Sequence, residues 1–400
     1  MVGKSSLYNN KILYNYFVVF SDAVMVWSII IPFMKLKGLS FFNIMVFFSM
    51  MELLTLLLEI PSGFLSDYFG HKLIVITGSL LKIISFILIM FCDYFIILVV
   101  DCIIFALSDA LLSGSTSAIL YDSLIEKNEE KEYGQILRKA KSNSLYFSAI
   151  LILSSGYLYN KNIYLPFLLT SIFITISFII SLFFEKTNKK QHINLKKIIK
   201  SYKFHIEIAD CVKSIKKFLL VMALMISFQS IFTNMNFFTQ EIMINLQIDY
   251  NYYGLIFFIS NIISAYIWKK GNVIQKKFGE NTLIIISIYF CICIFGVIQF
   301  NAYKGSVLIL PFMRVVSATL IPLFDIELNE LIKSDRATIL SFVNAVNGLF
   351  KFTIDLFIGK ITDIYGIYYL LKIIILIIFT FIIFIVLIKS FISTNKNSKI

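Results

Sequence analysis

The sequence predicts an all-α integral membrane protein with twelve transmembrane helices arranged in two six-helix halves. Three observations lead to this prediction. The 400-residue chain is 58% apolar and contains 41 phenylalanines, a composition that excludes an ordinary water-soluble domain. It has only five prolines and sixteen glycines, so its long apolar stretches are typical of helices rather than of barrel strands. A basic interval then divides these stretches into two sets of six.

Twelve apolar runs are each long enough to cross the hydrocarbon core, which needs about 20 helical residues. The first run is too long for a cleaved secretory signal, and we expect it to remain as a helix. The runs cover residues 11–34, 39–60, 73–92, 94–118, 140–160, 163–184, 217–240, 250–269, 282–302, 306–326, 337–358 and 365–389.

The basic interval at 185–216 separates an amino-terminal half, 1–184, from a carboxy-terminal half, 217–400. Apolar residues recur in the interval at helical spacing opposite lysines, which is typical of a helix lying on the membrane surface. A solvated linker is the alternative. The halves resemble each other in order, because Gly156 lies at the end of the fifth span as Gly359 does at the end of the eleventh. This pattern indicates duplication.

Lysine and arginine concentrate in alternate loops. When the amino terminus is placed in the cytoplasm, most of these residues fall on the cytoplasmic side, as the positive-inside rule requires. We therefore expect a protein of the cell membrane with both termini in the cytoplasm. The net charge of +12 is explained by anionic lipid headgroups at the inner leaflet, so membrane lipid is an expected partner and nucleic acid is not.

A polar stretch between the second and third spans carries the most specific pattern in the chain. The pattern is Gly63-x-Leu65-x-Asp67-x-x-Gly70-x-Lys72. It resembles, in sequence and in position, the signature between the second and third helices of the major facilitator superfamily of secondary transporters. Tyr68 and His71 stand at two places that are usually basic in that family.

As local structure, the stretch 59–72 is predicted to be a tight turn, in which Gly63 and Gly70 supply backbone freedom and Asp67 caps the following helix. An anion at a helix amino terminus is favourable, and we therefore predict a further role for Asp67 in a conformational latch of the outward-open state. In that role Asp67 faces Arg336 at the start of the eleventh span and holds the two halves together. We expect the latch to depend on Gly63, Asp67, Gly70, Lys72 and Arg336.

The end of the fourth span shows a second resemblance. Asp109 precedes Ser113-Gly114 and then Tyr121-Asp122-Ser123-Leu124, and this arrangement is similar to that of a drug-efflux-like bacterial subgroup of the superfamily. The resemblance implies proton-coupled efflux of lipophilic or cationic small molecules. Small residues one helical turn apart on this span also favour close helix packing, which needs no substrate.

Ionisable residues inside the predicted spans are candidate functional residues, because each costs about 2.5–3.5 kcal/mol there unless it finds a partner or a cavity. Asp22 lies near the middle of the first span and Asp109 lies on the fourth. We expect both to form a proton or cation site, and pairing with a neighbouring helix is the structural alternative. Asp101 lies nearer the outer end of the fourth span, where a hydrated structural role is expected.

The resemblance also implies that the first, fourth, seventh and tenth spans line a central cavity. Arg314 on the tenth span is the expected counter-ion for an aspartate or an anionic substrate. The seventh span is unusually polar for a membrane helix, and its interspersed aromatic residues favour bulky or lipophilic cargo. The predicted substrate cavity comprises Trp27, Gln229, Thr233, Asn234, Asn236 and Arg314.

Three further charges are predicted at the contact between the second and eleventh spans. They are Glu52 on the second span and Lys351 and Asp355 on the eleventh. Lys351 and Asp355 are one helical turn apart, so they can neutralise each other. The resemblance implies that the two spans slide past each other during transport.

The sequence predicts neither an enzyme nor a cofactor, metal or catalytic site. The three histidines fall in predicted cytoplasmic segments, and they assemble into neither a metal cluster nor a nucleophilic triad. Gly3-Lys4-Ser5 lacks the first glycine of a phosphate-binding loop, so we expect no ATP-driven transport. We expect transport to use a gradient of protons, of another ion or of the substrate.

The expected protein is a monomeric secondary transporter that works by alternating access on a small-molecule substrate. Proton-coupled uptake of a small metabolite is the alternative within the same class. A membrane sensor or lipid-handling protein that has kept the fold without transporting is the alternative outside it.

Overall fold

The computed structural model describes residues 8–185, 215–278, 282–301, 303–316, 331–332 and 336–397. The predicted helix on the membrane surface within 185–216 lies almost entirely outside these ranges, as does the second part of the tenth span. Each of the twelve predicted apolar runs coincides with a described helix, except that only the beginning of the tenth is described.

The amino-terminal half contains seven helices. α1 (Tyr8–Ser21) and α2 (Ile30–Leu36) form one span that bends by 51° around a 3-10 turn at Val26–Ser28. The bend has a local cause, because Pro32 lacks the N–H that would bond to the carbonyl of Ser28 in a continuous helix. The remaining helices are α3 (Phe41–Phe69), α4 (His71–Leu88), α5 (Phe95–Ile125), α6 (Tyr133–Lys161) and α7 (Leu165–Leu182).

The carboxy-terminal half repeats this plan. Its first span is also broken, at Asn234, into α8 (Ile215–Thr233) and α9 (Met235–Asn245). A 3-10 turn at Lys304–Ile309 leads into the tenth span. The other helices are α10 (Asn251–Phe278), α11 (Thr282–Gln299), α12 (Arg336–Tyr365) and α13 (Ile367–Asn397).

Length and composition allow several of the described helices to cross a membrane. Four single helices qualify within the described ranges: the Phe41–Glu59 part of α3, α4 with its 3-10 extension, α5 and α7. The bent pair α1–α2 makes a fifth span.

The stretch 59–72 is not the turn that the sequence predicts. α3 continues through Gly63 to Phe69, and only Gly70 reverses the chain, at a φ of +89°. Asp67 lies in the last turn of α3 and does not cap α4, since Gly70 occupies the capping position. The prediction was wrong because a polar helix end looks like a loop when hydrophobicity alone marks where a helix stops.

The bundle has two ends, which we name by their glycine turns. The Gly70 end carries the reversal at Gly70 and the loop 126–132, and the Gly38 end carries the reversals at Gly38 and Gly366. Across the two halves, α6 packs along α10 and α3 packs along α12. One apolar core cluster draws on both halves, and a second lies within the amino-terminal half.

Glycine makes the α6–α10 contact unusually close. A Cβ atom on Gly254 would lie 2.5 Å from the carbonyl oxygens of Ile152 and Leu153, and Gly156 meets the backbone of Tyr250 in the same way. These carbonyls belong to helix backbone and cannot turn aside. The two glycines therefore permit the halves to close on each other near the Gly38 end.

Candidate functional site: a cavity between the two halves

A cavity of about 480 Å³ lies between the halves. Its lining comes from the α1–α2 break, α4, α5 and α6 on one side, and from α8, α9, α10 and the tenth span on the other. The polar lining includes Thr233, Asn236 and Asn261. The cavity is thus large enough for a small molecule and is built by both halves together.

Both predicted acids line this cavity, and each has a cationic partner on another helix. Asp22 lies in the α1–α2 break, where it accepts hydrogen bonds from Lys141 at 2.8 Å and from the Ser144 hydroxyl at 2.9 Å. Asp109 on α5 lies 3.8 Å from the ammonium nitrogen of Lys82 on α4. The side chain of Lys141 remains 56% exposed, so this pair is accessible from the cavity.

Arg314 reaches the cavity from the carboxy-terminal half. Its guanidinium carbon lies 3.9 Å from the centroid of the Phe257 ring on α10, which is a cation–π contact. The described lining therefore carries three cations, which are Lys82, Lys141 and Arg314, and two carboxylates, which are Asp22 and Asp109. The balance of charge favours an anionic or hydrogen-bond-accepting group in the cavity.

One wall of the cavity is aromatic. Trp27, Phe86 and Phe105 pack edge to face, with ring centroids 6.4 Å apart for Trp27–Phe86, 6.3 Å for Trp27–Phe105 and 6.0 Å for Phe86–Phe105. All three side chains line the cavity. We call these three rings the aromatic wall.

Contacts of the 3-10 turn and α2 with α9 close the cavity towards the Gly38 end. The side chains of Asn236 and Gln240 each donate a hydrogen bond to the carbonyl of Trp27 at 3.0 Å, and Gln240 also accepts one from the N–H of Ile31 at 2.9 Å. Further along, the ammonium group of Lys35 lies 2.6 Å from the carboxylate of Glu241. The two halves are therefore joined from the aromatic wall outwards.

The loops at the Gly38 end carry additional polar contacts. The Asn160 side chain donates to Asp249 of the other half at 3.1 Å. Lys37 bonds to Asp93 at 2.6 Å and to Tyr164 at 3.0 Å. Burial works against the charge of Lys37, but these two hydrogen bonds outweigh it and raise the pKa of Lys37.

The three predicted interface charges form one cluster. Lys351 on α12 pairs with Glu52 on α3 and, at 2.8 Å, with Asp355 one turn along its own helix. Asp355 is 1% exposed and also accepts a hydrogen bond from Asn234 at 2.5 Å. The cluster thus ties the break between α8 and α9 to the contact between α3 and α12.

The structure places four of the six predicted substrate residues on the cavity. Trp27, Thr233, Asn236 and Arg314 line the cavity. Asn234 bonds to Asp355 in the interface cluster instead. The side chain of Gln229 lies outside the described residues.

The predicted latch residues lie at the Gly70 end. Asp67 is exposed, and with Gly63 it borders a groove between α3 and α5. The side chain of Arg336 lies outside the described residues. A contact of the predicted kind occurs at the opposite end, where the carboxylate of Asp363 accepts the N–H groups of Phe41 and Phe42, both at 3.0 Å, at the amino terminus of α3.

The family model of the Major Facilitator Superfamily matches residues 12–353. The chain belongs to this superfamily. None of the curated proteins matches the chain in sequence. The predicted fold class is confirmed: the chain is a multi-pass membrane protein with the superfamily's twelve-helix, two-half fold, and it is a transporter rather than an enzyme.

Solved structures resemble this superfamily member over nearly their whole length. The nucleoside transporter NupG has a TM-score of 0.69 and 12% identity, covering 94% of this chain and 97% of that one. A mutant of NupG has a TM-score of 0.73, 11% identity and coverage of 94% and 99%. A D-xylose-proton symporter has a TM-score of 0.67, 13% identity and coverage of 93% and 97%. These likenesses support the superfamily fold. They do not confirm the drug-efflux-like subgroup.

Sequence reasoning missed two cations and misplaced one acid. Lys141 and Lys82 line the cavity of this transporter, although Lys141 is predicted at the very start of a span. α6 begins at Tyr133, so Lys141 lies two turns inside the helix. Asp101 is not hydrated as predicted, because it is only 1% exposed.

Proposed function

We propose that this protein is a proton-coupled secondary transporter that takes up a small polar solute by alternating access. The observation that carries the proposal is the cavity between the halves, which is lined by acid–lysine pairs, by Arg314 and by an aromatic wall, and is sealed towards the Gly38 end.

The lining favours a solute with a flat apolar part and an anionic or hydrogen-bond-accepting part. Stacking on the aromatic wall would hold the first, and the cations Lys82, Lys141 and Arg314 with the amide of Asn236 would hold the second. The solved structures with the same fold include a nucleoside transporter and a D-xylose-proton symporter, so the fold accommodates polar solutes of this size.

Asp22 and Asp109 are the proposed proton sites. When either carboxylate binds a proton, its partner Lys141 or Lys82 loses a counter-charge and becomes available to an anionic group of the solute. Proton binding and solute binding then favour each other, and this is the coupling that symport needs.

The proposed orientation places the Gly70 end and both termini in the cytoplasm of a cell-membrane protein that functions as a monomer among anionic lipids. The described state is then open towards the cytoplasm. We propose that the halves 1–184 and 217–400 rock about the Glu52–Lys351–Asp355 cluster, joined by 185–216. The latch of Gly63, Asp67, Gly70, Lys72 and Arg336 would close the Gly70 end in the opposite state.

Purified protein in liposomes tests this function. Nucleosides, sugars, organic anions and lipophilic cations are offered with and without an imposed proton gradient. We expect one solute of the first three classes to accumulate with the gradient, and Asp22→Asn to abolish that accumulation. Asp93→Asn is the matched control, since Asp93 pairs with Lys37 outside the cavity. Equal accumulation by Asp22→Asn and wild type would exclude Asp22 as the coupling site.

Efflux of lipophilic cations is the second candidate, and the aromatic wall is the observation that favours it. The cations on the lining count against it. Cellular accumulation decides between the two directions, because expression of the protein raises the internal level of an imported solute and lowers that of an exported one. Absence of any flux in liposomes would favour the non-transporting alternative.

A further inference from the structure

Asp101 is a buried acid that belongs to neither the cavity nor the interface cluster. It lies on α5 and is 1% exposed. The hydroxyl of Ser85 on α4 donates a hydrogen bond to its Oδ1 at 2.5 Å. Its Oδ2 is buried and makes no hydrogen bond within the described part of the chain.

The ion pairs around α5 do not include Asp101 within the described part of the chain. On the described helices and turns that pack against it, the ion pairs are Asp22–Lys141, Glu52–Lys351, Lys82–Asp109, Lys37–Asp93, His71–Asp122, Lys11–Glu129 and Lys11–Glu132. Among the described residues, the titratable groups that neighbour Asp101 are the buried thiols of Cys92 and Cys102. An ionised carboxylate would be buried there with one hydroxyl as its polar support, whereas a carboxylic acid carries no charge to compensate.

The aromatic wall adjoins the Asp101–Ser85 pair on both α4 and α5. Phe105 follows Asp101 by one helical turn, and Phe86 follows Ser85 directly. Both rings line the cavity, while Asp101 does not. Trp27 packs against both rings. The rings therefore lie on the cavity side of the Asp101–Ser85 pair, where they obstruct the approach of a proton or water molecule from the cavity.

Trp27 is the member of the wall that the other half holds in place. It lies in the 3-10 turn of the α1–α2 break, outside any long helix. Its carbonyl accepts hydrogen bonds from Asn236 and Gln240 of α9, each at 3.0 Å. Separation of the halves at the Gly38 end would break these two bonds and release the turn.

We propose that Asp101 is a proton-binding site of this transporter, occluded behind Trp27 and opened to water when the halves separate at the Gly38 end. The site then binds or releases its proton in only one of the two alternating states. The link to coupling rests on the proposed function, whereas the bound proton and its occlusion are properties of the described state.

Infrared spectroscopy of the full-length protein in lipid bilayers at neutral pH tests the bound proton. We expect the C=O stretching band of a protonated carboxyl group, and we expect Asp101→Asn to remove it. Asp93→Asn, which alters a carboxylate that is 45% exposed and paired with Lys37, should leave the band intact. If Asp101→Asn does not fold, Ser85→Ala should shift the band because it removes the hydroxyl from Oδ1. An unchanged band in the folded variant overturns the proposal.

Transfer to D2O tests the occlusion, because deuteration moves the same band. Exchange should be slow in wild type and about tenfold faster in Trp27→Ala and Gln240→Ala, since both promote local opening. Trp27→Phe should restore slow exchange. Phe173→Ala, in a separate ring cluster with Phe20 and Phe147, is the control and should exchange slowly. Unchanged exchange in Trp27→Ala would refute the gate.

A transport assay separates this proposal from the proposed function. Asp101→Asn resembles the protonated acid, so it should retain exchange of solute across the membrane and lose accumulation driven by a proton gradient. Full gradient-driven accumulation by this variant would overturn the coupling role of Asp101. If wild-type protein transports none of the tested solutes, the proposed function fails, and the infrared results still decide whether Asp101 holds an occluded proton.

Discussion

Gly254→Ala should open the Gly38 end of the transporter. The added Cβ would lie 2.5 Å from the carbonyl oxygens of Ile152 and Leu153, whereas ordinary contacts begin at 3.4 Å. The difference, 3.4 − 2.5 = 0.9 Å, must come from separation of α6 and α10, because both neighbours are backbone atoms. Overpacking of this kind costs about 1–3 kcal/mol. The closed state should therefore lose population by a factor of about 5–150 relative to the open one.

Pulsed EPR with spin labels at Lys161 and Lys304, one in each half and both exposed at the Gly38 end, measures this shift. The distribution of label distances should move towards longer values in Gly254→Ala. Gly114→Ala is the matched control, since Gly114 is also inside a helix and has nothing within 4 Å of the added atom. If the distances and the thermal unfolding of Gly254→Ala equal those of the control, close approach of α6 and α10 is not what closes this end.

Three further substitutions have expected outcomes. Asp363→Asn removes an anion from the amino terminus of α3, so the closed state at the Gly38 end should lose about 1 kcal/mol of stability relative to the open state. The same label distances should then shift slightly, and no shift would mean that the charge does not stabilise the closed state. Lys351→Met leaves the buried carboxylate of Asp355 without its cation and should destabilise the protein by about 3–5 kcal/mol. Adding Asp355→Asn should partly restore the unfolding temperature, and the absence of recovery would show that another contact was lost. Gly70→Ala places a side chain at a φ of +89° and should cost about 1–3 kcal/mol, whereas a melting temperature equal to that of Gly114→Ala would show that the turn relaxes freely.

The spans were predictable because a helix must be apolar over the thickness of the membrane wherever it crosses, and that signal is local in the sequence. The superfamily was predictable from the Gly63–Lys72 pattern for the same reason. The helix ends were harder to predict, because α3 and α6 extend beyond their apolar runs. Outside the membrane a helix need not be apolar, so a polar residue does not mark where it ends. The extension of α6 is what brings Lys141 to Asp22.

The sequence was enough to predict which types of residue line the site, but it predicted only some of the contacts that these residues make. Asp22, Asp109, Trp27 and Arg314 stood out as polar or aromatic residues on membrane helices, and the structure places them all on one cavity. Asn234 stood out equally and bonds to the interface cluster instead. Residue type says that a polar group needs a partner, but not which helix will supply it.

By itself the sequence determined that this chain is a twelve-helix membrane transporter of the major facilitator superfamily, since apolar length, charge bias and a short motif are all read along the chain. Only the tertiary structure decided that Asp101 is buried while Asp67 is exposed, and that Asp363 caps α3 from the other half. The physical reason is geometric. Burial and pairing depend on the rotation and tilt of each packed helix, and contacts across the two halves also depend on which end of the transporter is closed.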